Sequence, residues 1–249
     1  MNNMSKPIEN IIALYRERRY ELAHQYVMRN LADAPNDGKQ WELCGLIRNA
    51  LKDRDGAIDA LEHAVVLVPL SAAGQCTLAH CYTTAGHKQL AREMFEFLMS
   101  KTSLPTRLLP LIAVGCGRIG ELELALEACR RAADANVDGA DPIYGMAHYM
   151  ERLDYPLEIV KSLLHKAIEL EPGRIRFRIA LAKTLCRIGS NDEAYSIIGT
   201  IRKDEIQTIH CRHRLRQLAS IYTVVENHEM ADYCIRQLKT ISFNDNPTE

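Results

Sequence analysis

The chain has 249 residues, 47% of them apolar and 25% charged, and its 31 basic and 32 acidic side chains leave a formal net charge of −1. That balance excludes a global field able to hold a nucleic acid or an anionic membrane surface, and no apolar run approaches the ~18 residues a membrane helix needs. Eight cysteines occur without a C-x-x-C pair, and Cys44, Cys116, Cys129 and Cys234 sit at apolar helix positions, as free thiols do in a reducing compartment. Met1 to Pro7 lacks an apolar core segment, so no secretory signal is expected and the chain reads as cytoplasmic.

The predicted elements are amphipathic helices from end to end. Leu14 marks the apolar face of the first; Ala23 and Val27 mark the second, which Pro35 closes. Gly38 to Ser71 is the clearest stretch. Trp41, Cys44, Gly45 and Arg48 fall at helical spacing, Lys52 to Gly56 has turn chemistry, and Ala57, Leu61 and Ala64 fall at helical spacing again before Pro69. The next pair carries Tyr82, a turn glycine at Gly86, then Ala91 and Phe95. Pro105 and Pro110 flank the following helix, which is expected to start late or kink before Cys116, Gly120, Ala125 and Cys129. Asp141-Pro142 reads as an N-cap with proline at the first helical position, and Pro156 as another helix start, ahead of Val160, Leu164 and Pro172. Leu185, Gly189, Ala194 and Ile198 form the next pair. A loop is expected near Lys203 to Gln207, then Tyr222, Ala231 and Ile235, and a disordered tail from Asn244 to Glu249.

A period runs through these elements. The small residue early in each second helix falls at Ala23, Ala57, Ala91, Ala125, Val160, Ala194 and Ala231, with gaps of 34, 34, 34, 35, 34 and 37. A bulky side chain there would push the two helices apart. Four residues on, a larger side chain returns at Val27, Leu61, Phe95, Cys129, Leu164, Ile198 and Ile235 on the same helix face. With the first-helix residues, the turn glycines at Gly56, Gly86, Gly120 and Gly189, and the closing prolines, this pattern resembles the tetratricopeptide repeat. The resemblance implies an all-α fold, a right-handed α-solenoid of antiparallel helix pairs. It would form one repeat domain over 1–243, with pairs at about 5–37, 38–71, 72–105, 106–139, 140–173, 174–207 and 208–243.

Other motifs yield to the repeat. Gly115-Cys-Gly117-Arg-Ile-Gly120 matches a dinucleotide-binding G-x-G-x-x-G. However, Arg118-Ile119-Gly120 precedes Ala125 just as Arg187-Ile188-Gly189 precedes Ala194, so Gly120 is a turn glycine, and no βαβ unit surrounds it. Cys76 and His80, four apart with Thr84 and His87 nearby, could offer two soft metal ligands, short of the four that a structural zinc site takes. No metal or other cofactor is expected, and no nucleophile–base constellation or paired carboxylates mark an enzyme.

In the resembled family the first helices line a concave groove where partners lie. That register puts Arg107, Arg118, His148, Arg152, Arg176, Lys183, Arg187, His213 and Arg216 on the C-terminal half of the groove, opposed by Asp141 and Glu151. On the N-terminal half it puts Ile8, Ile12, Tyr15, Lys39, Glu42, Leu46, Asn49, Cys76 and His80. The family's two-carboxylate clamp for chaperone tails is not expected, because its positions fall on Ile8, Ile12, Leu43, Ala73 and Thr77. The implied function is a noncatalytic protein-interaction scaffold whose basic groove takes an acidic peptide segment or partner helix. A peptide-sensing regulator or a chaperone for secretion or assembly is the alternative. The arginine runs at Arg174 to Arg178 and Arg212 to Arg216 raise RNA binding, against which the near-zero net charge counts. An uncapped last pair would leave an apolar strip open to homodimerisation.

Overall fold

The computed structural model describes residues 7–137 and 139–241, and among them every regular element is helical. The chain divides into two compact units, Met1–Ala128 and Cys129–Glu249. The N-terminal residues read for a signal, except Pro7, and the tail read as disordered lie outside the described residues.

In the first unit, α1 (Ile8–Arg16) pairs with α2 (Tyr20–Asp33), α3 (Gly38–Ala50) with α4 (Arg54–Leu67), and α5 (Ala72–Ala85) with α6 (Lys88–Ser100). A 3-10 turn at Thr106–Leu108 leads into α7 (Leu109–Ile119), and α8 (Leu122–Asp134) follows, with the division between the units falling inside it, after Ala128. Pro105 precedes the 3-10 turn and Pro110 sits in the first turn of α7, where its missing N–H has no helical partner to lose; this is the late start the prolines predict. The second unit holds α9 (Asp141–Arg152), α10 (Leu157–Leu170), α11 (Ile175–Ile188), α12 (Asn191–Ile198), α13 (Lys203–Gln207), α14 (Arg212–Val224) and α15 (His228–Thr240). The expected loop at Lys203 to Gln207 is therefore a short helix. Ile201, Ile206 and Ile209 are at most 5% exposed and tie it into the unit's core.

The periodic small residues lie where the helices nest. Ala23, Ala57, Ala91, Ala125 and Ala194 are fully buried, and Val160 and Ala231 nearly so. At the crossing of α3 and α4 a Cβ on Gly45 would lie 2.5 Å from Leu61 Cγ and 3.2 Å from the Ala57 carbonyl, so only glycine fits. The larger residues four positions on are also buried, with one exception. Ile235 is 44% exposed, and the neighbouring Cys234 is buried in its place. No pair after α15 is present among the described residues to cover the side that carries Ile235.

The turn inside each pair is more regular than its sequence. A left-handed residue closes the first helix at Arg18, Lys52, Gly86, Gly120, Asp154, Gly189 and Glu226, with φ between +56° and +94°. The next residue donates its N–H to the carbonyl five positions back, at 2.8–3.0 Å: Arg19 to Leu14, Asp53 to Arg48, His87 to Tyr82, Glu121 to Cys116, Tyr155 to Met150, Ser190 to Leu185 and Asn227 to Tyr222. This is the Schellman closure of a helix C-terminus. Its acceptors include each first-helix residue that the repeat marks. Gly56, expected as a turn glycine, lies inside α4 instead; its N–H donates to the Asp53 cap and its carbonyl accepts from Arg48 at 3.1 Å. Lys52 makes that turn. Asp141 likewise does not cap α9. It is the first helical residue, and the Glu171 carboxylate accepts the Ala140 N–H at 3.1 Å.

Three consequences are measurable by chemical denaturation. Gly120→Ala should cost about 1–2 kcal/mol, because a Cβ is strained at positive φ. Glu226→Gly should stabilise by up to about 1 kcal/mol, the relieved strain exceeding the glycine's extra chain entropy. Ala91→Leu should overpack the α5–α6 crossing and cost about 1–3 kcal/mol.

Candidate functional site

The left-handed turn residues give a common origin for the first helices. Counted back from them, Arg118, Arg152 and Arg187 each stand two residues before the turn, His148 and Lys183 six, and Arg107, Arg176 and His213 thirteen. These spacings keep one helix face.

In the second unit this face encloses a cavity of about 290 Å³. Its floor is apolar, formed by Ala147, Val160, Leu164, Ile179 and Ala180. Its walls carry Arg152, Arg176, Lys183, Arg187 and Arg214, with His148 and His213, against one lining carboxylate, Glu151. Of the candidate residues, His148, Arg152, Arg176, Lys183 and Arg187 thus come together. Arg216 is exposed and does not line the cavity; α14 turns His213, Arg214 and Gln217 into it. Arg107 and Arg118 belong to the first unit.

The cations are organised differently at the two ends of α11. Near its start, Arg176 pairs with Asp141, which Arg174 also approaches at 3.7 Å, and its guanidinium lies 5.1 Å from the ring centroids of both Tyr144 and Phe177. That contact ties α11 to α9. Near its end, Lys183 Nζ and Arg187 Nη1 share a single oxygen, Oε1 of Glu151, at 2.9 and 2.6 Å. Burial opposes ionisation of Glu151, but the hydrogen bonds and charges of Lys183 and Arg187 prevail and hold its carboxyl below the usual range.

The first unit has its own concavity of about 650 Å³, which Tyr15, Leu46, Asn49, Cys76 and His80 line as the register predicts. Lys52, Arg54 and Arg118 add positive charge to what the sequence suggests is a mixed, more apolar surface. Exposed Leu111 and Val114 stand between Arg107 and Arg118 at helical spacing on α7 and the turn before it. Ile8 and Ile12 pack instead against the core of the first pairs, and Glu42 accepts hydrogen bonds from Ser71. Burial pushes the Cys76 thiol up to about 12 and His80 down, and the imidazole stands edge-on to Phe95 at 5.4 Å. Among the described residues no group of three His, Cys, Asp or Glu side chains gathers as metal ligands would, and no helix is long and apolar enough to cross a membrane. The G-x-G-x-x-G glycines all belong to α7 and its turn: a side chain at Gly115 would strike the Phe95 ring, and Gly120 is the left-handed cap.

Sequence periodicity did not reveal Tyr144, Arg214 and Gln217 in the basic cavity, or Lys52 and Arg54 in the other. None of the five stands two, six or thirteen residues before its turn, so the first-helix register does not single them out.

Because its carboxyl is held low in the folded state, Glu151 contributes stability that is present above the ordinary glutamate value of 4.5 and lost as pH falls through its lowered value. The stability difference between the wild type and Glu151→Gln should therefore shrink as pH drops from neutral to well below 4.5. Thermal unfolding followed across that window checks it.

No protein-family model matches the sequence, and no curated protein matches it. Solved structures do. The C-terminal part of a TPR repeat-containing protein from Cytophaga hutchinsonii aligns with a TM-score of 0.64 at 14% identity, over 98% of this chain and 96% of that one. A tetratricopeptide repeat protein from Parabacteroides merdae aligns at 0.69 and 13% identity, over 96% and 93%. A chain of the APC/C hetero-tetramer Cut9–Hcn1 aligns at 0.57 and 16% identity, over 92% of this chain and 41% of that one. Helix pairs nested on small residues and returning about every thirty-four positions give this chain the tetratricopeptide-repeat fold.

Proposed function

We propose that the protein is a noncatalytic interaction module whose second unit takes an acidic peptide segment of a protein partner in the cavity between α9, α11 and α14. One observation carries the reading: five lysine and arginine side chains line the cavity against one carboxylate, above an apolar floor. Arg176, Lys183 and Arg187 run along about 16 Å of one face of α11, a span that about five extended residues match. Guanidinium and ammonium donors suit carboxylates, and the apolar floor side chains suit apolar ones. Cut9–Hcn1, one of the structurally similar cases, is an assembly of more than one protein. All eight cysteines are free, which supports a reducing, cytoplasmic setting.

The test is affinity capture from the native lysate with quantitative mass spectrometry, using the wild type and the double variant Lys183→Gln with Arg187→Gln. Arg176 is left in place because it holds α11 to α9. With helicity unchanged by circular dichroism, the variant should lose captured partners by about tenfold or more, the scale of one or two charged hydrogen bonds. Added salt should reduce capture by the wild type. Capture that survives both changes rules out the cavity as the binding site.

A further inference from the structure

We infer that Glu151 is a built-in stand-in for the partner's carboxylate, occupying the subsite formed by Lys183 and Arg187 until an acidic side chain or chain terminus displaces it. This rests on the functional reading above and adds which contact the ligand makes and what it must compete with.

Lys183 offers three N–H donors and Arg187 five, yet both converge on Glu151 Oε1, and among the described residues no other acceptor takes either side chain. One carboxylate thus serves two cations, which leaves a net positive charge and more donors on these two cavity-lining side chains than Glu151 takes. A second carboxylate arriving there would meet two cations that already lie within 2.6–2.9 Å of a common oxygen. A carboxylate is therefore the chemistry this pair is arranged to hold.

Exposure shows which side chains an incoming group can reach. Lys183 and Arg187 retain 36% and 44% of their side-chain surface, so an incoming group can reach them, while Glu151 retains 14%. Asp141 is not equivalent. Its partner Arg176 is fixed against two aromatic rings, and Arg174 also approaches it, so that pair is part of the α9–α11 packing. Glu151 is held by the two flexible side chains and, among the described residues, is the one carboxylate that lines the cavity. Removing its charge while keeping its shape should leave the cations in place and unopposed.

The experiment uses the full chain and a fluorescein-labelled short peptide alternating aspartate and leucine, read by fluorescence anisotropy. Glu151→Gln should bind the probe about tenfold more tightly than the wild type, the scale of one charge-assisted contact no longer contested. Adding Lys183→Gln and Arg187→Gln to it should abolish that gain. Glu151→Asp, which keeps the charge but draws it back from both cations, should fall between the wild type and Glu151→Gln; it also serves if the glutamine variant does not fold. If the wild type binds the probe and neither Glu151 variant binds more tightly, the stand-in inference is wrong while the acidic-peptide reading stands. If no form binds, both are wrong. Binding by Glu151→Gln alone supports the inference in its strongest form, with the internal carboxylate closing the site.

Discussion

The close nesting of two helices across a left-handed turn is the constraint on which this structure depends. Each first helix ends in a residue at positive φ, and the following N–H reaches back five positions to close the helix. The chain then reverses within two or three residues, which sets the second helix directly against the first. Only a short side chain fits at that crossing, and a Cβ at Gly45 already has no room. Turn geometry and side-chain size are thus two expressions of one requirement, and the buried alanines follow from the turn as much as from hydrophobicity.

The same turn fixes the direction in which the first helices point their polar side chains. Residues two, six and thirteen positions before it share a face, and in the second unit that face carries Arg176, Lys183 and Arg187 on α11 and His148 and Arg152 on α9. The core-forming period therefore also builds the charged cavity. Within it the ion pairs divide by role. The Arg176–Asp141 pair is stacked on Tyr144 and Phe177 and belongs to the packing. The pairs to Glu151 stand at the accessible edge and are stoichiometrically unbalanced. An unbalanced pair at an edge is where an outside carboxylate gains most, because its desolvation is met by donors already in place.

Insertions act at the places where the period is weakest. The gap between the last two left-handed turns is 37 residues against 34 or 35 elsewhere, and the extra length goes with a shortened α12 and the added α13. Ile201, Ile206 and Ile209 bury the extra segment instead of leaving it as a free loop. The fold absorbs the irregularity because each pair needs only its neighbours.

The sequence by itself determined the helices, their pairing and the buried faces, since alanines, prolines and apolar residues repeat at spacings that are local to each helix. It also placed His148, Arg152, Arg176, Lys183 and Arg187 on one surface, because a shared register needs no knowledge of contacts. It could not show that Lys52, Asp154 and Glu226 take left-handed turns, since nothing in those side chains announces a positive φ that the surrounding packing imposes. Nor could it show that Glu151 is held by cations 32 and 36 residues away, or that Arg214 and not Arg216 enters the cavity. Such contacts turn on the rotation of one helix against the next and on the reach of long side chains, which only the tertiary structure decides.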